Sequence, residues 1–219
     1  MYVMFDGRLD STKNAVNTNK KPCVKKEKFP GYLVIFDKNE KVNDEVRGIL
    51  TFDRVWYFIS VPQYIMLAST KPLLRLGLLL ESPHKDEYQN QQPIRPANGV
   101  TGQKIEALIA NRVAKWNSVA TPNGTILQTT NDYEVILINA VQYQTSCYKL
   151  LGEQWDKTNR EHVFKLLFNN FGLRTDLSNR INNYNLSIVV NCVTVKLKNE
   201  VSNIVSNLNS VADYHPSYW

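Results

Sequence analysis

RLGLLL, residues Arg75–Leu80, is the stretch that decides the fold. An unbroken apolar run this short predicts a strand covered on both of its faces. EVILI (Glu134–Ile138) and LSIVV (Leu186–Val190) repeat the pattern, and Val211–Tyr214 predicts a short fourth strand. Helical periodicity fills the gaps. Thr101–Trp116 places Ile105, Leu108, Ile109 and Val113 on one face behind Thr101 as N-cap. Asn159–Phe171 does the same with Val163, Leu166, Leu167 and Phe171, and Gly172 stops it. Asn199–Leu208 is the third helix. Strands alternating with helices predict an α/β fold: a central four-stranded parallel sheet flanked by helices over residues 71–219. Residues 1–70 read as a basic, β-rich N-terminal extension packed on that core. Its strands are Gly31–Asp37 and Thr51–Val61, closed by Pro62, and Asp10–Lys28 is a polar loop or arm.

Length and composition allow such a core. The chain has 219 residues, 43% hydrophobic and 21% charged. That is ordinary globular usage, which excludes a disordered chain, a disulfide scaffold and a fibrous repeat. No apolar run approaches the roughly 20 residues that span a bilayer. Met1–Asp10 lacks the layout of a signal peptide, so a soluble, intracellular protein with no membrane partner is expected. Cys23, Cys147 and Cys192 are widely spaced and offer no metal-ligand pattern, so neither a metal nor a cofactor is expected. Cys147 and Cys192 read as small buried hydrophobes and His162 as structural. The net charge of +6 is uneven, since residues 1–30 hold seven Lys/Arg against three Asp/Glu, with Lys25 and Lys26 inside the densest cluster. That surplus favours a polyanion, although a solvated arm has the same composition.

In a parallel sheet with helices on its faces, ligands bind beyond the carboxyl ends of the strands. The residues there are Glu81-Ser82-Pro83-His84, Asn139, Asn191-Cys192 and His215-Pro216-Ser217. A carboxylate, two carboxamides and two of the three histidines thus fall at four separate strand ends.

Three of these segments, in this order, resemble the uracil-DNA glycosylase superfamily. LLLESPHKDEY (Leu78–Tyr88), followed by PIRPANGVTGQKIEALI, is similar to the opening motif of the branch that usually carries an iron–sulphur cluster. VILINAVQYQ (Val135–Gln144) is similar to the strand ending in the Asn that holds an extruded base. YHPSYW (Tyr214–Trp219) is similar to the family's His-Pro-Ser loop. The resemblance covers about residues 73–219; residues 1–70 show none, and the cluster cysteines are absent.

The resemblance implies a monofunctional DNA glycosylase that flips a base and hydrolyses its glycosidic bond, leaving an abasic site. Such chemistry needs a carboxylate to orient water and balance charge on the sugar, and donors aimed at the departing base. A carboxamide suits a pairing edge because it offers donor and acceptor side by side. Carried over, Asn139 binds the edge of the pyrimidine and His215 stabilises the leaving anion. Pro216 and Ser217 shape a phosphate-gripping loop. Ser82 stands at the family's water-activating position and is no strong base, so Glu81 or Asp86 takes that task, or the sugar charge is balanced electrostatically. His84 replaces a Tyr that excludes thymine's methyl, which points away from strict uracil specificity. Tyr218 and Trp219 stand where the family continues into a duplex wedge, and with Lys25 and Lys26 they complete the expected DNA contacts.

Some members excise hypermodified bases from phage DNA as a bacterial defence. Glucosylated hydroxymethylcytosine is therefore the favoured substrate, with uracil second, acted on by a monomer in the bacterial cytoplasm. A catalytically silent DNA-binding module on the same fold is the alternative, and Ser82 favours it. A hydrolase of free nucleosides is disfavoured by the basic charge.

Overall fold

The computed structural model describes residues 2–4, 27–29, 32–35, 41–60, 70–89, 92–119, 126–143, 145, 161, 164–165, 167–169 and 171–219. Strands β1 (Tyr2–Met4), β2 (Glu27–Phe29) and β3 (Tyr32–Ile35) pair antiparallel in the order β1-β3-β2. The main sheet is built from β4 (Glu45–Asp53), β5 (Val55–Ser60) and β6 (Leu73–Leu80). A small hairpin, β7 (Tyr88–Gln89) with β8 (Gln92–Pro93), lies in the following loop. The main sheet is completed by β9 (Asp132–Asn139), β10 (Ile188–Asn191) and β11 (Ser210–Ala212). Its six strands run in the order β11-β10-β6-β9-β4-β5.

The expected parallel strands are present, but the sheet is larger and mixed. β11, β10, β6 and β9 pair parallel, and β4 and β5 extend the sheet antiparallel beyond β9. A boundary at residue 70 therefore runs through one sheet. The stretch Thr51–Val61 is not one strand: the chain reverses at Asp53-Arg54-Val55, where Arg54 takes a φ of 62°.

Helices cover both faces. α1 (Val100–Ser118) buries Ile105, Ile109, Val113 and Trp116 against Leu76, Leu78 and Leu80 of β6, Val135 and Leu137 of β9 and Val190 of β10. The opposite face packs Leu79, Ile136, Ile138 and Val189 under α2 (Leu173–Tyr184) and α3 (Val195–Val205), with Phe164, Leu167 and Phe168 beside them. Alternate residues of each strand thus enter two different cores, so the runs look apolar throughout. Cys192 is buried as expected, and burial pushes its thiol well up. Cys147 and His162, like Val163 and Leu166, lie outside the described residues.

Two helix ends differ from expectation. The N-cap of α1 is Gly99, and Thr101 sits in the first turn. α3 starts four residues earlier than Asn199, because its buried stripe of Leu197, Val201 and Val205 begins in the first turn, where Val195, Lys196 and Lys198 are not buried. Gly172, at φ 74°, ends the preceding helical residues and starts α2.

Gly102 is needed for a close approach. A Cβ there would stand 1.9 Å from the Ala97 carbonyl oxygen, so the loop before α1 would have to move. Gly102→Ala is expected to cost about 1–3 kcal/mol, the usual penalty of overpacking, read as a lower urea midpoint.

Candidate functional site

The chain leaves β6 to form β9 on one side of it and later crosses to β10 on the other. A crevice opens where connections diverge in this way, beyond the carboxyl ends of β6 and β10. Glu81 and Thr194 meet across it. Thr194 holds the N-cap position of α3, yet its hydroxyl makes no cap bond and donates to Glu81 Oε2 at 2.6 Å. Glu81 is only 5% exposed. A carboxylate beside the start of a helix is favoured by the unpaired N–H groups there.

Thr194 also lines a cleft of about 520 Å³ with His215, Tyr214, Tyr218, Lys196 and Lys198. His215 opens a single 3₁₀ turn, Pro216–Tyr218. Its Nδ1 accepts from the Ser217 N–H at 3.3 Å and lies 2.9 Å from Ser217 Oγ. An accepting Nδ1 places the proton of the neutral ring on Nε2, which makes that nitrogen a donor. Pro216 is buried, and Lys104 holds the Ser217 carbonyl at 2.7 Å and the Trp219 carbonyl at 3.3 Å.

Asn139 lies at the other end of the group. Its register partner is Leu80, and it is 1% exposed. Its Nδ2 donates to Glu87 Oε2 at 3.3 Å, while its Oδ1 is buried with no partner among the described residues. Glu87 ends a 3₁₀ turn, Lys85–Glu87, and its Oε1 accepts from the His84 N–H at 3.0 Å. Burial pushes the Glu87 carboxyl up to about 7, against the pull of N–H donors at His84, Ala97 and Asn139. No cation is among its partners there, so desolvation dominates.

The loop holding Glu87 is buttressed by the first strands. The β4–β9 register shifts between Val46 and Gly48, and the bulge at Arg47 re-aims that side chain. Arg47, 5% exposed, bonds the carbonyls of Pro96 and Ala97 and Glu106 Oε1. Asp44 receives Arg180 at 2.5 Å, Tyr184 at 2.9 Å, Gln142 at 3.1 Å and the Asn139 N–H at 3.3 Å.

The remaining candidates are dispersed around this group. Ser82 Oγ lies 2.7 Å from Thr145 Oγ1. His84 Nδ1 is 3.0 Å from Asp86 Oδ2, and Asp86 is exposed, turned to His84 rather than to Glu81. Trp219 is held down: its Nε1 donates to the Tyr214 carbonyl, and its ring lies 6.1 Å from Trp116 and 5.6 Å from the Arg112 guanidinium. Tyr218 is exposed instead. Lys25 and Lys26 lie outside the described residues.

Glu87, Asp44, Arg47, Thr194 and Asp213 were not singled out from the sequence. Glu87 stood inside the quoted KDEY, where its polar neighbours Lys85, Asp86 and Gln89 gave no sign of its burial. Asp213 has a fully buried carboxylate. Burial would raise it, but hydrogen bonds from Arg112, Lys115, Trp116 and the Tyr214 N–H outweigh that and hold it down to about 2.

Among the described residues no group of three His, Cys, Asp or Glu could hold a metal ion, and no helix is long and apolar enough to cross a membrane. Comparisons with family models, curated proteins and solved structures found no match.

The folded Glu87 keeps its proton up to about pH 7, whereas the unfolded chain releases it near 4.5, so ionisation opposes folding. The contribution of Glu87 is full below about pH 4.5 and is lost as pH rises through 7, a decline of about 3 kcal/mol. Glu87→Gln should flatten that decline, measured as urea-unfolding free energy at pH 5 and pH 8.

Proposed function

We propose that the chain is a monofunctional DNA glycosylase, built on a four-stranded parallel core of the uracil-DNA glycosylase kind and acting as a monomer without metal or cofactor. The observation that carries this reading is the placing of Glu81, Asn139 and His215 at the carboxyl ends of three parallel strands of one sheet. In this reading a nucleotide is flipped from DNA so that its base is read by Asn139. Glu87 orients the carboxamide by taking its N–H, which leaves the acceptor oxygen for the base. Water adds to the anomeric carbon as the glycosidic bond breaks, and Glu81 takes the water's proton. The base departs with the electron pair, and the His215 Nε2–H stabilises its oxygen. Glu81 suits this role better than Asp86, since its partner Thr194 shares a cleft with His215.

A modified pyrimidine is the proposed base, glucosylated hydroxymethylcytosine first and uracil second. His84, in place of a Tyr that would exclude a methyl, supports a substrate other than uracil, and the cleft of about 520 Å³ lined by His215 leaves room beside it. A defence role in a bacterial cytoplasm goes with that substrate. Ser82, bonded to Thr145, supports the second reading: a DNA-binding module without catalysis.

The test is release of abasic sites, scored by alkaline cleavage, from uracil-containing, unmodified and glucosylated hydroxymethylcytosine DNA. Cleavage confined to the glucosylated DNA is expected. His215→Ala should lower the rate roughly 10²–10³-fold, the usual loss on removing a donor to a developing anion. Full activity in the Asn139→Ala/His215→Ala double variant would overturn the assignment, and DNA binding with no abasic product would favour the silent module.

A further inference from the structure

The turn after β11 presents two aromatic rings that the catalytic reading does not use. Tyr214 is 61% exposed and Tyr218 76%, and both line the cleft that holds His215. Neither phenol hydroxyl has a hydrogen-bond partner among the described residues. Everything around the two rings is clamped. Lys104 holds the carbonyls of Ser217 and Trp219, Trp219 Nε1 holds the Tyr214 carbonyl, and Lys198 holds the Asp213 carbonyl at 2.7 Å. The Asp213 side chain is buried under Arg112, Lys115 and Trp116. The bonding therefore fixes the backbone and leaves two rings exposed on it. An aromatic side chain can bury about 150–250 Å², so leaving both exposed forgoes considerable stability.

The charges around the rings are mainly positive. Lys115 Nζ stands 4.7 Å from the centre of the Tyr214 ring. Lys196 and Lys198 line the cleft, and Lys196 is 68% exposed although paired with Glu161 at 3.2 Å. Aromatic faces among cations suit bases and phosphates together. A duplex offers base edges and a backbone, with its base faces already stacked, whereas a single strand offers open faces.

We propose that Tyr214 and Tyr218 form a stacking platform for unpaired bases of single-stranded nucleic acid, with Lys115 and Lys196 taking its phosphates. This deepens the glycosylase reading, because the strand on the platform would carry the flipped nucleotide past His215. Binding itself does not require catalysis.

The test uses the full chain with a fluorescein-labelled, unmodified thymidine oligomer, single-stranded or annealed to its complement, followed by anisotropy at several salt concentrations. Single strand is expected to bind at least roughly ten-fold tighter than duplex. Tyr214→Ala and Tyr218→Ala should each weaken it several-fold or more, and the Phe variants should retain it. Both positions are exposed, and a thermal melt of each variant checks that it folds. Equal affinity for duplex, no binding of either form, or binding untouched by the Ala variants would overturn the platform. Since the oligomer holds no modified base, strand preference without base release on any DNA keeps the platform and removes the glycosylase reading. Base release by variants with unaltered strand binding removes the platform alone.

Discussion

β6 is hydrogen-bonded to β9 on one edge and to β10 on the other, and its side chains from Leu76 to Leu80 are buried in two cores. A strand with all four sides covered has no place for a polar group until it ends. Glu81 is the first residue past that end, and it still lies in a low-exposure setting. Because the connections diverge from β6, the chain leaving the strand beside it carries Thr194 to the same spot, and the carboxylate accepts a hydrogen bond from its hydroxyl. The crevice is thus a consequence of strand order, and the chemistry of Glu81 follows from where the backbone pairing stops.

The two antiparallel strands do more than enlarge the sheet. The bulge in β4 costs one ladder position and turns Arg47 onto the loop that holds Glu87. Asp44, just before that strand, gathers Arg180, Tyr184, Gln142 and the Asn139 N–H around one buried carboxylate. Removing one partner from such a group would strand a buried charge, so these contacts resist piecemeal loss. The Asn139 end of the group therefore depends on residues before 50 as much as on the parallel strands.

The parallel strands were legible because doubly buried strands write themselves as apolar runs. α1 was legible through Ile105, Ile109 and Val113, although Leu108 proved only half-buried. β4 was not, because Glu45 and Arg47 interrupt its start and its turn is a single Arg with positive φ. α2 was missed because it buries only Leu177 and Ile181 of its twelve residues. The strand-end candidates Glu81, Asn139 and His215 could be picked out by position alone. Glu87, Asp44 and Asp213 could not, since an acid in a polar loop looks the same whether it faces water or a buried partner. Trp219 shows the reverse: grouped with Tyr218 by sequence, it is anchored while its neighbour is exposed.

Two buried carboxyls near the same end of the sheet are driven in opposite directions, and their surroundings explain why. Asp213 has a bidentate Arg112, Lys115 and the Trp116 indole, so it stays ionised and cancels one charge of a cationic patch. Glu87 has two backbone N–H groups and a carboxamide but no cation, so burial prevails and its carboxyl titrates near neutrality. The group around Asn139 is thus close to neutral while the surface around Tyr214 remains basic. The two carboxyl environments differ in charge. In the proposed reading the basic surface would meet phosphates, and the Asn139 group would meet a base with little added charge to desolvate. That difference arises from partners donated by α1 on one side and withheld on the other.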